Sequence, residues 1–555
     1  MIVISKKVTN RKQVQLHQMR KQNMRSLIKR RIKTTLVFGI ITTLLLVFSA
    51  CNKSSDKTSD QILLEQSDGN GDSKNMNSSI DENKTIDDKL YVGEYNYCFG
   101  GVGPDIKTEY YYSDSYFKNS GKENNEHLRT MSMNLALAAT PTSSGKKDRN
   151  IIDLMTQIGF QDVICEDMEN ETTKDTIGSA ISHKNLNGTE VVAVAIRGDG
   201  YQAEWASNMM IGNSGDEEGF SDASQKIINR IRDYQEKYHL KEIKIWISGY
   251  SRAGGVANLT GKYIIEHLSE FDINNDDDVY VYTFEAPNSS GDDVIYDSIH
   301  NVINVNDFIP YIPFEKWGLY CNGQKEYIGD DIQITKKSTS LFNGRNQNKQ
   351  KKEDSSKNDT EESKSNGTES ISMTEFLSET ADWLADTIDR EDGAESMSFV
   401  SKLIELAFTK TPDELKETIE YFKLVGQSIV KDTSKAEWTK LILTFTLSGS
   451  GIRVDVTGEI ADLITSHMDL VKEEHGISFS EEEYEVLKES VLPLLNLLQP
   501  IISSDAPEFT HLLTIADNSF TILCAHFTTV NLALLQEEDS YYTDEVEAIS
   551  VGEME

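Results

Sequence analysis

The chain has 555 residues, 38% hydrophobic and 26% charged, a globular composition too long for one compact core, so one large domain with insertions or two domains are expected. Lys and Arg number 55 against 91 Asp and Glu, giving a formal net charge of −36. A surface that acidic repels a phosphate backbone, which excludes nucleic acid as an expected partner.

Basic residues do cluster within the first 33 positions, where no acid occurs. Lys29, Arg30, Arg31 and Lys33 precede an uncharged apolar run from Thr34 to Ala50, and Phe48-Ser49-Ala50-Cys51 leads into the polar Asn52-Lys53-Ser54. A basic segment, an apolar segment and small residues before a cysteine resemble a bacterial lipoprotein signal. The resemblance implies cleavage before Cys51, lipidation of its thiol, and a membrane partner reached through that anchor. An uncleaved anchor helix is the alternative, and both readings place the bulk of the chain on the extracytoplasmic face of the cell membrane. Cys98, Cys165, Cys321 and Cys524 lie far apart, with no Cys/His spacing that suggests a metal. The acidic run Asp272–Asp278 imitates a calcium loop but carries Asp277 where a glycine is required. Neither a metal nor a cofactor is expected.

In chain order, residues 1–50 read as the signal and 51–90 as a flexible tether rich in Ser, Asp, Asn and Lys. Order is expected to begin near Leu90-Tyr91-Val92, opening an α/β core over 91–335. Val191–Ile196 is a short continuous apolar run suited to a strand buried on both faces. Ile227, Ile228, Ile231, Tyr234 and Tyr238 then recur at helical spacing. Ile243–Ser248 is the next strand, Gly254–Leu268 a helix, Val279–Phe284 a strand, and Asn301–Asn306 another. Strands separated by helices predict a mostly parallel central sheet. Residues 336–372 are polar and read as a disordered surface insertion. Over 373–510 the apolar spacing becomes that of amphipathic helices, predicting a helical cap, and 511–555 return to the core with an acidic tail.

The chemistry centres on Ser248-Gly249-Tyr250-Ser251-Arg252-Ala253-Gly254. A serine on a sharp turn between strand and helix needs small neighbours two positions to either side, and Gly249 and Ala253 supply them. Together with Ala195-Ile196-Arg197-Gly198-Asp199, Tyr282–Pro287 and Asn306-Asp307-Phe308-Ile309-Pro310, this segment resembles the class 3 (fungal-type) lipases of the α/β-hydrolase superfamily. The four blocks fall in family order over about 185–315.

That resemblance implies Ser251 as nucleophile and Asp307 as the acid of a triad, with Asp293 and Asp297 as weaker competitors. A serine hydroxyl needs a histidine to take its proton and a carboxylate to hold that imidazole. The histidine follows the acid in this superfamily, leaving His467, His475, His511 and His526. His526 is favoured by its apolar setting before a C-terminal helical segment, and His511 is the alternative. His467 and His475 read as solvated among acids. The oxyanion hole is expected from the backbone N–H groups of Arg252 and Asp199. Asp199 stands where the family carries serine or threonine, so only its backbone N–H can donate. The expected function is hydrolysis of an ester or lipid through an acyl-serine intermediate; the competing class is a non-catalytic surface lipoprotein that keeps the fold as a binding module.

Overall fold

The computed structural model describes residues 89–98, 105–140, 149–168, 176–198, 215–335, 370–387, 412–448, 456–477, 480–503 and most of 514–551. The signal, all but the last two residues of the tether, Asp199, His511 and nearly all of the 336–372 insertion lie outside those residues. Among the described residues no helix is long and apolar enough to cross a membrane.

The described chain opens with an antiparallel hairpin, β1 (Tyr91–Cys98) and β2 (Asp105–Tyr112), followed by helices α1 (Glu126–Ala138) and α2 (Arg149–Gln157). The central sheet then forms from β3 (Gln161–Glu166), β4 (Ser179–Leu186), β5 (Thr189–Ile196), β6 (Ile243–Tyr250), β7 (Val279–Phe284), β8 (Ile299–Asn304) and β9 (Gln324–Ile328). These seven strands lie side by side in chain order. β5 to β9 are parallel, as the alternation of strands and helices predicts, whereas β3 and β4 add an antiparallel edge. Helices α3 (Glu218–Tyr238) and α4 (Arg252–Glu266) make the crossovers on either side of β6.

The sheet is buried on both faces because successive side chains of a strand point to opposite sides. Val191, Ala193 and Ala195 enter one core with Leu128, Met131 and Leu135 of α1. Val192, Val194 and Ile196 enter the other with Ile227, Ile228 and Ile231 of α3 and Val256 of α4. Each fully buried Val or Ile contributes roughly 1.5–3 kcal/mol, so a run of such residues fixes the position of β5, and with it the ends of the neighbouring strands. β8 starts at Ile299, two residues before the expected position, because Ile299 is itself core.

After β9, β10 (Gln333–Thr335) pairs antiparallel with β11 (Ser370–Ser372), bringing together the two ends of the polar insertion. The helical block contains α5 (Met373–Thr387), α6 (Pro412–Asp432), α7 (Lys435–Ser448), α8 (Val456–His475) and α9 (Glu481–Ser503). α8 packs against α6, α7 and α9. His467 is therefore buried, contrary to the solvated reading, and its two ring nitrogens meet Ser428 Oγ at 2.8 Å and Thr433 Oγ1 at 3.0 Å. Thr465, Ser466 and Asp469 near it in sequence are polar, but Met468 beside it and Ile464 and Val471 one helical turn away are buried in the block. His475 is exposed.

Helix α10 (Thr528–Glu538) packs on α1, where Arg129 pairs with Glu538 at 2.9 Å, and a single helical turn, Ser540–Thr543, follows it. A short strand, β12 (Ile549–Ser550), then pairs parallel with β1, so the acidic C-terminal segment closes on the first hairpin.

Candidate active site

β6 delivers Ser251 at the C-terminal end of the sheet, and α4 begins at the next residue. Ser251 holds φ 53° and ψ −121°, a conformation costing on the order of 1–3 kcal/mol for a non-glycine residue. Surrounding contacts impose it. The Ser251 N–H donates to the Phe284 carbonyl at 2.7 Å, and the Gly255 N–H donates to the Ser251 carbonyl at 3.2 Å. A Cβ on Gly249 would lie 2.2 Å from the Ala253 carbonyl oxygen, and one on Gly198 would lie 2.0 Å from that of Tyr250, so the turn tolerates no side chain at either place.

β8 ends at Asn304, and the loop beyond it carries Asp307, only 1% exposed. Its Oδ1 accepts the Ile309 N–H at 2.9 Å, closing the turn before Pro310. Its Oδ2 lies 2.6 Å from His526 Nδ1. His526 is 5% exposed and lies on the turn preceding α10, with Nε2 2.8 Å from Ser251 Oγ, itself 5% exposed. The three residues thus form a continuous chain from hydroxyl to imidazole to carboxylate. Within it, the hydroxyl donates to Nε2 while Nδ1–H donates to the carboxylate, the tautomer that lets the imidazole accept a proton. Of the competing acids, Asp297 accepts from Gln324 at 2.7 Å, and the carboxylate on His526 Nδ1 is that of Asp307.

The histidine turn is held by groups that sequence reasoning passed over. Tyr250, adjacent to the nucleophile, donates its hydroxyl to the His526 carbonyl. Asn531 donates to the Ala525 carbonyl at 2.9 Å and to the Tyr250 hydroxyl at 3.2 Å, and Asn304 donates to Asn531 Oδ1 at 3.0 Å. The nucleophile strand, the acid strand and the histidine segment are therefore cross-linked directly. Tyr250 occupies a variable position of the serine motif, and the two asparagines carry no motif at all, so only their placement reveals them. Glu285, just after β7, is completely buried; burial first, and then the charge of Asp307, push its carboxyl well above the usual range.

Of the two expected oxyanion donors, Arg252 N–H is the first amide of α4, at the positive end of that helix. Asp199 lies outside the described residues. Cys165, Cys321 and Cys524 make no disulfide among themselves. One metal-capable group occurs among the described residues, Glu126, His127 and Asp539. Internal bonds already engage it: His127 Nδ1 meets Asp539 Oδ1 at 2.7 Å, that oxygen also caps the Tyr541 N–H at 2.9 Å, and Ser540 donates to Glu126 at 3.1 Å.

Helix α5 lies on the loop that carries the acid. Phe376 and Leu377 share a buried cluster with Phe308 and Tyr311, and Trp317 packs with Ala381 and Ala385. Ile515 and Ile522, shortly before His526, join the first of these clusters.

Residues 193–317, which include Ser251 and Asp307, match the lipase (class 3) family. Solved structures similar to part of the chain include a Rhizomucor miehei lipase in complex with its propeptide, at 14% identity and TM-score 0.27, covering 37% of this chain and 68% of that one. A fungal lipase is similar at 14% identity and TM-score 0.27, covering 38% and 81%. A mutant form of MDLA from Penicillium cyclopium is similar at 15% identity and TM-score 0.27, covering 39% and 85%. No curated protein matches the chain. The family match falls on the central strands of the mostly parallel seven-stranded sheet, so the chain carries a class 3 lipase domain, of a family of carboxylic ester hydrolases, over residues 193–317.

Proposed function

We propose that the chain is a lipid-anchored lipase or esterase on the extracytoplasmic face of the cell membrane, hydrolysing carboxylic esters through an acyl-Ser251 intermediate. The observation that carries the chemistry is the pair of contacts on His526, 2.8 Å from Ser251 Oγ and 2.6 Å from Asp307 Oδ2. As Ser251 Oγ attacks the acyl carbon, its proton passes to His526 Nε2. Asp307 keeps Nδ1–H directed toward itself and stabilises the imidazolium. The developing oxyanion draws on the Arg252 N–H and, in this reading, the backbone N–H of Asp199. His526 returns the proton to the departing alkoxide, leaving the acyl group on Ser251. Water then attacks the acyl-enzyme, giving its proton to His526, which passes it back to Ser251 Oγ as the acid leaves. Every proton transfer uses the chain's own groups.

Residues 373–510 act in this reading as a cap that shapes the acyl site. Its support is the seating of α5 on Phe308 and Tyr311, next to the acid. The lipid anchor rests on the run from Lys29 to Cys51.

Turnover of aryl esters of graded acyl length tests the chemistry. Wild type should show a burst of alcohol release, and Ser251→Ala none; equal turnover by both rejects the reading. Cys51→Ser tests the anchor: it should abolish lipid attachment, and normal processing of that variant rejects lipidation at this residue.

A further inference from the structure

Glu285 is a buried carboxyl that the reaction above does not use. It follows β7 directly, with zero exposure and φ 49°, a left-handed conformation that a glutamate adopts only when its surroundings require it. Its backbone joins the two active-site strands: the Glu285 N–H donates to the Val302 carbonyl at 3.0 Å, while the preceding Phe284 carbonyl accepts the Ser251 N–H at 2.7 Å. Its side chain reaches the acid loop, where Oε1 accepts the Asn304 N–H at 2.9 Å. Oε2 is buried and meets no N–H or hydroxyl donor, and the Glu285 carboxyl as a whole lies beside that of Asp307.

Two carboxylates cannot hydrogen-bond each other, because each is only an acceptor; a contact between them needs one proton. Asp307 is the wrong partner to hold it, since its oxygens accept from His526 Nδ1 and the Ile309 N–H and the triad requires its charge. The proton therefore belongs to Glu285. Among the described residues Asp307 is the charge acting on Glu285, and it too favours the protonated form. A neutral acid there satisfies its own orphaned oxygen and adds a donor to Asp307.

We propose that Glu285 is a positioning residue: a neutral carboxylic acid that donates a hydrogen bond to Asp307 and fixes the carboxylate toward His526. The inference rests on the hydrolase reading above. Its consequence is that Glu285 acts through a donated hydrogen and not through charge, so an amide can replace it and a thioether of similar length cannot.

Glu285→Gln and Glu285→Met, compared with wild type and Ser251→Ala, separate the possibilities. Glu285→Gln should keep kcat within about 3-fold of wild type, and Glu285→Met should lower kcat on the order of 10- to 100-fold with little change in KM, as expected for a lost bond to a charged group. The acid limb of kcat/KM should be unmoved in Glu285→Gln. A shift of that limb to lower pH would mean that a negative charge had been removed beside His526, and would overturn the proposal. Equal kcat for wild type and Glu285→Met would overturn it as well. The low-field proton resonance of His526 Nδ1–H supplies a readout independent of turnover: it should persist in Glu285→Gln and weaken or move in Glu285→Met, and an identical signal in all three proteins contradicts the proposal. If wild type shows no Ser251-dependent turnover, the hydrolase reading fails while the resonance still decides whether Glu285 positions Asp307.

Discussion

Asp307 Oδ2 and His526 Nδ1 lie 2.6 Å apart although 219 positions separate the two residues in sequence. The acid is fixed locally, by the turn bond to the Ile309 N–H. The histidine is fixed from a distance, by Tyr250 on its carbonyl and by Asn304 and Asn531 on the carbonyl of Ala525. The long helical insertion can therefore leave and rejoin the domain without loosening the geometry of the proton path.

His526→Ala should lower ester turnover on the order of 10³-fold or more with the fold intact, because it removes proton transfer while leaving the oxyanion donors. Asp307→Asn should act in the same direction by favouring the wrong tautomer. Circular dichroism and kcat on one preparation check both. If His511→Ala abolishes turnover while His526→Ala retains it, the base is His511.

Tyr250→Phe removes the donor to the His526 carbonyl and leaves the Asn531 amide with one acceptor fewer. A drop in kcat of about 10-fold is expected, the magnitude of one lost hydrogen bond. An unchanged kcat would show that the two asparagines hold the turn unaided.

Glu285 gives a pH signature in stability. Its carboxyl is raised in the folded chain, so above the ordinary glutamate range the unfolded chain releases a proton that the folded chain keeps. That contribution is fully present at acid pH and declines as pH rises toward the folded value. Glu285→Gln lacks the effect. Its melting temperature relative to wild type should therefore rise between pH of roughly 4 and neutrality, and a constant difference across that range contradicts a protonated Glu285.

These groups also mark how far the sequence was legible. β5, β6 and β7 read clearly because both of their faces are covered, which leaves unbroken apolar runs. The serine turn read clearly because steric limits at Gly249 restrict it to a short motif. The antiparallel edge did not: Gln161–Glu166 and Ser179–Leu186 mix polar and apolar residues, and their pairing depends on the neighbouring strand. The solvated reading of His467 failed because adjacent residues in sequence are not neighbours on a helix surface. Glu285 stands in plain view in Phe284-Glu285-Ala286-Pro287, yet its burial and its contact with Asp307 follow from the packing of β7 beside β8.

The cap can be tested apart from the triad. Removing 412–503 while keeping α5, which packs on Phe308 and Tyr311, should leave turnover of short esters within a few-fold and selectively reduce that of long-chain esters. Unchanged relative rates in a folded variant would place the block away from the acyl site.

The central claim is that Ser251 is the activated nucleophile, and labelling with a fluorophosphonate followed by peptide mapping tests it most directly. The strained turn and the 2.8 Å contact with His526 predict one labelled residue, Ser251, in wild type, with labelling abolished in Ser251→Ala and strongly slowed in His526→Ala. A folded wild type that never labels, or label that persists in Ser251→Ala, would contradict the account.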